Sequence, residues 1–336
     1  MSFITTMINR RIVLASRPQG LPRPDNFRIE EEAVSRPGPG EVLLRHRWLG
    51  LAPAARLRMG EEASYRDPMP LGSVVYGQAI GEVVESCAAD MPVGTTVMSI
   101  SGGWQDYSVS KGSSLLRVDE SLAPASVWLG ALGTSGMTAY VGLLDLGRPR
   151  PGDTVVVSAA SGGVGSNVGQ IARLKGCRVV GVAGGEAKVR HVQERLGFDA
   201  AIDYRSPDFE AQLRAACPEG VDVYFDNVGG RVRDAVWPLM NDGGRVVVCG
   251  LIAEYNDSRQ GGPGWFQILA RRLCIQGFIM SDHMHRQPEF LKDMASWIQK
   301  GQIQIQEDVS EGLENVVPAF IRMLTGQNFG KSVVRL

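Results

Sequence analysis

The chain has 336 residues, of which 44% are hydrophobic, and 35 basic residues against 36 acidic ones give a formal net charge of −1. That length exceeds one ordinary domain, so two domains are expected, each with enough apolar residues for its own core. The balanced charge provides no broad basic field, which argues against a nucleic-acid-binding protein and against one held on an anionic membrane.

The start of the chain and its apolar runs bear on its location. Residues 1–11 lack an apolar stretch followed by a small-residue cleavage site, so we expect no secretory signal. No run approaches the roughly 18 apolar residues that span a bilayer. The nearest candidate, 128–146, is interrupted by glycines and is predicted to be a buried helix. The sequence therefore predicts a cytoplasmic protein that binds no membrane.

The cysteines are scattered and never form a C-x-x-C pair. They are Cys87, Cys177, Cys217, Cys249 and Cys274. An odd number of dispersed thiols is typical of a reduced cytosolic protein, and a structural zinc needs about four closely grouped ligands. His283 and His285 are two residues apart, a spacing that favours a strand or a loop. The sequence therefore predicts no disulfide framework and no metal site.

In chain order, the first hundred residues are predicted to form short strands between turns. Runs rich in Val, Ile and Leu occur at 41–45, 79–85 and 95–100, and Pro-Gly breaks lie at 37–40 and 92–94. Short strands at this spacing predict a compact barrel-like or sandwich domain.

From residue 151 onward, strands and helices alternate. Strands are predicted at 153–160, 178–183, 200–204, 221–228 and 245–250, and helices at 163–175, 186–196, 209–216 and 232–240. The strands are continuous apolar runs, which is typical of a parallel sheet covered on both faces and predicts a doubly wound α/β domain. In the tail, strands are predicted at 303–305 and 333–334, on either side of a helix at 313–324. We expect this tail to return to the first domain.

The strongest local motif follows the first strand of the α/β region. Residues 159–165 read AASGGVG, with Ala160 where the first glycine of G-x-G-x-x-G would stand. Gly162 lets the backbone approach a pyrophosphate, and Gly165 lets the following helix pack closely on the strand. N–H groups at the start of that helix then neutralise phosphate charge. The motif predicts a Rossmann-type dinucleotide site; the alternative is a tight turn that merely uses glycine.

The end of the second strand of this region favours NADPH over NADH. An NAD site usually carries there an acid that binds the ribose 2′-hydroxyl. Here Gly184 and Gly185 leave room for an added phosphate, and Lys188 and Arg190 follow closely enough to meet it. Glu186 is the contrary sign, unless it is a first-turn acid stabilised by the helix dipole. The alternative for Lys188 and Arg190 is a solvated helix face.

Short segments spread over nearly the whole chain carry a family resemblance. They are 132–140 (LGTSGMTAY), 159–165 (AASGGVG), 170–176 (QIARLKG), 196–199, 224–230 (YFDNVGG), 249–256 (CGLIAEYN), 276–278 (QGF) and 328–331 (NFGK). Together they resemble the zinc-free medium-chain dehydrogenase/reductase superfamily, and within it the prostaglandin reductase and alkenal double-bond reductase branch with its curcumin-reductase-like proteins. YFDNVGG with the later Tyr-Asn pair is specific to this branch, whereas the glycine loop is shared more widely.

The resemblance implies a fold, a reaction and an assembly. It implies a GroES-like β-barrel domain at 1–125, completed by 301–336, with a Rossmann domain at 126–300 and a cleft where the two meet. It also implies zinc-independent hydride transfer from NADPH to the β-carbon of an α,β-unsaturated aldehyde or ketone. A homodimer formed through the sheet edge near 274–279 is expected.

The resemblance further assigns roles to single residues. The pyrophosphate would be held by Gly162, Gly163, Val164 and Gly165. The adenosine 2′-phosphate would be met by Lys188 and Tyr204. The rest of the cofactor would be lined by Asn227, Cys249, Gly250, Leu251, Ile252, Tyr255, Phe278, Ile279, Met280 and Asn328. Taken singly, Asn227 and Asn328 could be turn residues beside glycines, and Phe278 a core aromatic.

Two departures from the family pattern concern the substrate pocket. Ser281 stands where several members carry a tyrosine after the QGF-like strand, and 51–56 reads LAPAAR where many members have LDP-A/Y-M-R. Without a metal, the developing enolate oxygen needs preorganised hydrogen-bond donors. The candidate catalytic donors are Tyr255, Ser281 and a ribose hydroxyl of the cofactor, with water as the source of the α-proton.

Other functions stay open at this point. A quinone or other carbonyl reductase of the same superfamily is one alternative, and an enoyl reductase that acts on a carrier-bound substrate is another. A non-catalytic nucleotide-binding sensor or structural protein is the alternative from a different class. The altered pocket residues Ser281 and Ala52 favour it, because fold and cofactor binding do not by themselves prove turnover.

Overall fold

The computed structural model describes residues 7–62, 64, 66–256 and 264–336. Its strands are, in chain order, β1 (Ile8–Leu14), β2 (Phe27–Ala33), β3 (Glu41–Gly50), β4 (Gln78–Ser86), β5 (Thr96–Ser99), β6 (Tyr107–Lys111), β7 (Leu116–Arg117), β8 (Thr154–Ser158), β9 (Arg178–Ala183), β10 (Ala200–Asp203), β11 (Val221–Asp226), β12 (Met240–Val248), β13 (Cys274–Gly277), β14 (Glu307–Glu311) and β15 (Lys331–Arg335). Its α-helices are α1 (Ala54–Leu57), α2 (Thr134–Val141), α3 (Gly165–Leu174), α4 (Glu186–Arg190), α5 (Phe209–Ala216), α6 (Gly230–Val236), α7 (Trp265–Arg271), α8 (Gln287–Gln299) and α9 (Val316–Leu324).

The chain divides into two compact units. One contains the residues up to Leu129 together with Glu307–Leu336, and the other contains Gly130–Gln306. In the described ranges no helix has both the length and the apolar character needed to cross a membrane. The apolar run predicted as one buried helix is buried, but it is divided into a 3-10 turn (Ala125–Leu129), α2 and a π-helical turn (Gly142–Gly147).

The first unit is built on a seven-stranded sheet with the order β14-β15-β3-β4-β5-β7, and β6 also pairs with β3. The pairs are antiparallel except for β14 with β15. Trp104 is fully buried, with its ring centroid 5.9 Å from that of Phe27 and 5.1 Å from that of Phe320. Because Phe320 lies on α9, the tail helix is part of this core. The strands predicted at 41–45, 79–85 and 95–100 are confirmed as β3, β4 and β5.

The strand predicted at 303–305 is wrong, since the strand of this region is β14. The Gln304 N–H donates to Gln170 Oε1 at 2.7 Å, and its carbonyl accepts from Gln170 Nε2 at 3.1 Å. Both backbone groups are therefore used by a side chain and not by a neighbouring strand. β14 itself, EDVSE, carries three acids, which have low strand propensity, so its pattern did not predict a strand.

The second unit contains a six-stranded parallel sheet with the order β10-β9-β8-β11-β12-β13. All five residues of β8 are buried, as expected for a β-branched run at the centre of a sheet covered on both faces. From β8 the chain first moves outward to β9 and β10, and then returns to place β11 on the other side of β8. The strand order therefore reverses between β8 and β11, which is where doubly wound sheets bind ligands.

The helices of this unit begin and end near their predicted positions. The helix predicted at 232–240 becomes α6, followed by a 3-10 turn at Trp237–Leu239, because Pro238 cannot donate within a continuing helix. A strand or loop is predicted for His283 and His285; both lie in the 3-10 helical segment Met280–Arg286, which is kinked at His283, whose φ of −111° and ψ of 19° are non-helical. That helix leads directly into α8, and tight 3-10 turns are frequent at the starts of helices.

Candidate functional site

The carboxyl ends of the parallel strands are followed by the residues that the sequence singled out in this unit. These residues are Gly162–Gly165 after β8, Lys188 after β9, Tyr204 after β10, Asn227 after β11, Cys249–Ile252 and Tyr255 after β12, and Phe278–Met280 after β13. The carboxyl ends of parallel strands meet at one edge of their sheet. Segments that are distant in sequence are thus assembled on one edge.

The glycine loop after β8 is a tight backbone turn. Ala159 adopts a left-handed conformation with φ of 50°, and its carbonyl accepts the Gly162 N–H at 2.9 Å. A Cβ at Gly165 would lie 2.3 Å from Ala159 O, so glycine is needed for the close approach of helix and turn. α3 then begins at Val164 as N-cap, with no side-chain cap. The uncapped end offers backbone N–H groups to an anion.

In the segment after β9, glycine is needed at position 184 because the Tyr204 ring approaches it closely. A Cβ at Gly184 would lie 2.7 Å from Tyr204 Cε1 and 3.1 Å from Arg205 Nε. The Arg205 guanidinium lies 5.6 Å from the centroid of the Tyr204 ring. Glu186, the contrary sign in the sequence, is exposed and forms an ion pair with Arg190 at 2.6 Å. Glu186 is therefore paired with a residue of its own helix, α4.

Arg205 was missed by the sequence reasoning, although it directly follows Tyr204 at the end of β10. Arg231 adds a further cation, donating to Tyr204 O at 3.1 Å. Lys188 is half-buried, one turn into α4, with its N–H bonded to Gly185 O at 3.1 Å. A basic residue beside the strand-end tyrosine is the signal that could have identified Arg205.

After β11, Asn227 is held by the last residue of β8. The Asn227 N–H donates to Ser158 Oγ and its side-chain Nδ2 donates to Ser158 O, both at 2.8 Å. Ser158 is fully buried. The Asn227 carbonyl accepts the Ile252 N–H at 3.4 Å, so the segments after β11 and β12 are joined. Sequence reasoning missed Ser158, because nothing in its local pattern distinguishes it from a core strand residue.

After β12, a short segment folds back so that the Tyr255 side chain contacts the backbone of Leu251. The Leu251 N–H donates to Tyr255 Oη at 3.3 Å, and a Cβ at Gly250 would lie 3.2 Å from the same oxygen. Burial, together with the charge of Asp226, raises the pKa of the Cys249 thiol to about 12. Cys249 is therefore a protonated, unreactive thiol at neutral pH.

After β13, Phe278 forms a ring contact with His283, with centroids 6.1 Å apart. A Cβ at Gly142 would lie 2.7 Å from Phe278 Cζ, so the start of the π-helical turn approaches this ring closely. Ser281 is exposed, and its Oγ donates to Asp282 Oδ1 at 3.5 Å. Hydrogen bonds thus join Asn227 to Ile252 and Leu251 to Tyr255, whereas Ser281 Oγ donates to its own neighbour, Asp282.

Asn328 belongs to the first unit. Its Nδ2 donates to Gly330 O at 2.8 Å, which closes the turn that leads into β15. Gly330 has a φ of 92°, a conformation that favours glycine.

As for metal ligands, the part of the chain that the structure describes contains no group of three or more His, Cys, Asp or Glu residues that could hold a metal ion.

Comparison with known proteins agrees with this geometry. Residues 10–118 match the family model described as N-terminal domain of oxidoreductase, and residues 163–300 match the one described as zinc-binding dehydrogenase. NADPH-dependent curcumin reductase of Escherichia coli (strain K12) is 48% identical over 98% of this chain and 97% of that protein. The chain belongs to the medium-chain dehydrogenase/reductase superfamily. The resemblance drawn from the motifs is confirmed.

Two further relatives place the chain within this superfamily. Prostaglandin reductase 1 of Sus scrofa is 40% identical over 94% of this chain and 95% of that protein. The crystal structure of CurA in complex with NADPH from Vibrio vulnificus is 46% identical, covers 97% of this chain and 98% of its own, and has a TM-score of 0.92. The chain therefore lies in the branch of curcumin and prostaglandin reductases, and the predicted combination of a Rossmann-type parallel sheet with a second, β-rich domain is confirmed.

Proposed function

We propose that this protein is an NADPH-dependent reductase of the C=C bond of α,β-unsaturated aldehydes and ketones. The observation that carries the proposal is the edge of the parallel sheet, where a segment suited to a dinucleotide follows each strand from β8 to β13. The Escherichia coli relative is named for NADPH and curcumin, and the Vibrio vulnificus structure contains NADPH.

The residues at this edge fit NADPH. Gly165 lets the start of α3 approach Ala159 O closely, and the uncapped start of this helix offers backbone N–H groups that suit a diphosphate. We assign the 2′-phosphate to Lys188, Tyr204 and the adjoining Arg205. The remainder of the cofactor is assigned to Asn227, Cys249, Gly250, Leu251, Ile252, Tyr255, Phe278, Ile279, Met280 and Asn328.

The catalytic task of the protein is to stabilise charge on the substrate. NADPH, when bound, supplies the hydride that adds to the β-carbon. We assign Tyr255 as the donor to the carbonyl oxygen on which negative charge develops, because the Leu251 N–H holds its hydroxyl in place. Ser281 is exposed and is assigned as a second donor. Water protonates the α-carbon.

The reaction is proposed to need no zinc, although one family model is described as zinc-binding. Among the described residues, the cysteines are spread over both units, and only Cys87 and Cys274 are exposed. Reduced, dispersed thiols also support a cytoplasmic location. We propose in addition that the domains divide near residues 125 and 300, and that two copies associate as a homodimer.

The direct test is NADPH oxidation with a panel of enals, enones and quinones, followed by product identification. The proposal requires that a conjugated enone be converted to the saturated ketone, with activity unchanged after dialysis against a chelator. Oxidation with benzoquinone alone would favour the quinone reductase alternative. NADPH binding without oxidation by any member of the panel would favour a non-catalytic role.

A further inference from the structure

Two buried polar residues of the YFDNVGG segment have no part in the assignments above. Tyr224 is 0% exposed and Asp226 is 1% exposed, although both carry groups that need hydrogen bonds when buried. They are two positions apart on β11, so their side chains lie on the same face of the strand. Accordingly, Tyr224 Oη donates to Asp226 Oδ1 at 2.8 Å.

Asp226 Oδ1 is the centre of a hydrogen-bond network. Besides Tyr224, it accepts Ser158 Oγ at 3.2 Å and the N–H groups of Val228 and Gly229, both at 2.9 Å. Burial raises the pKa of this carboxyl, and the Gly229 and Val228 N–H groups partly offset the rise. A buried carboxylate persists only with such compensation. The donors therefore hold the carboxylate, and the carboxylate in turn fixes the turn after β11.

The network reaches the assigned cofactor residues by two routes. Ser158, which donates to Asp226, accepts the Asn227 N–H, so the position of Asn227 depends on that serine. The Asp226 carbonyl accepts the N–H groups of Cys249 at 2.8 Å and Gly250 at 3.1 Å. One buried residue thereby holds both segments, the turn after β11 and the start of the segment after β12.

We propose that Asp226 is a positioning residue. Together with Ser158 and Tyr224, it fixes Asn227 and Cys249–Ile252 for the nicotinamide half of NADPH. The inference rests on the proposed function. It assigns no direct contact with the cofactor to Asp226. The 2′-phosphate residues, Lys188 and Tyr204, follow β9 and β10 on the other side of β8, so they should be little affected.

The test compares Asp226→Asn with Asp222→Asn in the full-length protein. Asp222 is on the same strand but at its amino end, where it accepts the Thr154 N–H at 2.8 Å and Asn241 Nδ2 at 3.0 Å. Binding of NADPH and of 2′,5′-ADP, which carries only the adenosine end, is measured for each variant along with Tm. Asp226→Asn should weaken NADPH binding at least 10-fold and 2′,5′-ADP binding by less than 2-fold, whereas Asp222→Asn should leave both within 2-fold.

Steady-state kinetics give a second readout. The KM for NADPH of Asp226→Asn should rise with its Kd, while kcat at saturating NADPH falls less than 3-fold. Unchanged NADPH binding, or an equal loss of both ligands, would overturn the inference. Failure of the wild-type protein to bind either ligand would instead overturn the proposed function.

A milder variant keeps the test decisive if Asp226→Asn does not fold. Ser158→Ala removes the hydroxyl that joins Asp226 to the Asn227 N–H and leaves the two turn N–H bonds of Asp226 in place. We expect an increase of at least 5-fold in the Kd for NADPH with that for 2′,5′-ADP unchanged. NADPH binding like that of the wild type would again overturn the inference.

Discussion

Lys188 lies in the first turn of α4, shortly after Gly184, against which the Tyr204 ring packs. A charged hydrogen bond to a phosphate is worth about 1.5–3 kcal/mol, so Lys188→Ala should raise the KM for NADPH roughly 10- to 150-fold. The KM for NADH should hardly change, because NADH lacks that phosphate. Lys300→Ala is the matched control, since Lys300 is an exposed lysine at the end of α8 in the same unit. Unchanged NADPH kinetics in Lys188→Ala would show that the phosphate assignment is wrong.

Tyr255 is assigned as a donor to the developing enolate oxygen. Removal of one such donor in other enzymes lowers kcat about 10²- to 10³-fold. We expect a loss of about 10²-fold in kcat for Tyr255→Phe and a smaller rise in the KM for NADPH, because the variant also loses the bond from the Leu251 N–H. Both are measured by NADPH oxidation with a conjugated enone. Tyr107→Phe, on β6 of the first unit, serves as the control. A kcat like that of the wild type would show that the Tyr255 hydroxyl takes no part in the reaction.

His46 makes the first unit sensitive to acid. The side chain is buried, with Nδ1 2.8 Å from Gln105 O and Nε2 2.8 Å from Ser108 Oγ. Burial lowers its pKa from 6.5 to about 4, so the imidazole stays neutral in the fold while the unfolded chain binds a proton below pH 6.5. Stability from this group is therefore complete above pH 6.5 and is lost as the pH falls toward 4, by about 3 kcal/mol.

Denaturant unfolding at pH 7 and pH 4.5 measures this dependence. The His46→Gln variant should be less stable at pH 7, yet lose less free energy of unfolding than the wild type between the two pH values. Equal losses in both proteins would mean that other groups account for the acid sensitivity.

At the scale of elements, regular strands and helices could be predicted because their apolar patterns are local. β9 and α5 have the predicted bounds, 178–183 and 209–216. β11 ends at Asp226, earlier than the predicted 228, because the Asp226 carboxylate takes the N–H groups of Val228 and Gly229. Its length therefore depends on a side chain that the periodicity does not reveal.

The candidate site was predictable only in part for a similar reason. Glycine turns and the residues after strand ends can be identified in the sequence, and Asn227 was found in this way. Ser158, which holds it, lies 69 positions earlier in the chain. Since that pairing depends on the neighbouring positions of β8 and β11 in the sheet, local pattern could not predict it. Local pattern also could not predict the hydrogen bonds between the Gln170 side chain and the Gln304 backbone, which take the place of strand pairing at 303–305.

The turn between β8 and α3 gives a prediction at this scale. A Cβ at Gly165 would lie 2.3 Å from Ala159 O, so Gly165→Ala must displace the turn or the helix start. NADPH binding should weaken at least 10-fold, as measured by titration calorimetry. Gly60→Ala is the control, because the Cβ would make an ordinary contact, 3.7 Å from Leu57 O. Unaltered NADPH binding by Gly165→Ala would show that this turn is not part of the cofactor site.

At the scale of the whole molecule, β13 is the edge strand of the parallel sheet, and α7, which precedes it in the chain, presents large apolar side chains to solvent. Trp265, Phe266 and Leu269 are 84%, 77% and 74% exposed, and Ile275 on β13 is 40% exposed. An open strand edge beside exposed aromatics is costly for a monomer. A second copy related by a two-fold axis would bury the same patch on both subunits. These features support the proposed homodimer.

Light scattering coupled to gel filtration should therefore give twice the mass of 36.3 kDa for the wild type. Ile275→Lys places a charge on the open edge, and Trp265→Ser removes an exposed anchor from α7, so the double variant should elute as a monomer. Val93→Lys is the matched control, because Val93 is 62% exposed but belongs to the first unit. It should leave the dimer intact. A wild-type monomer, or a double variant that still dimerises, would show that this edge is not the interface.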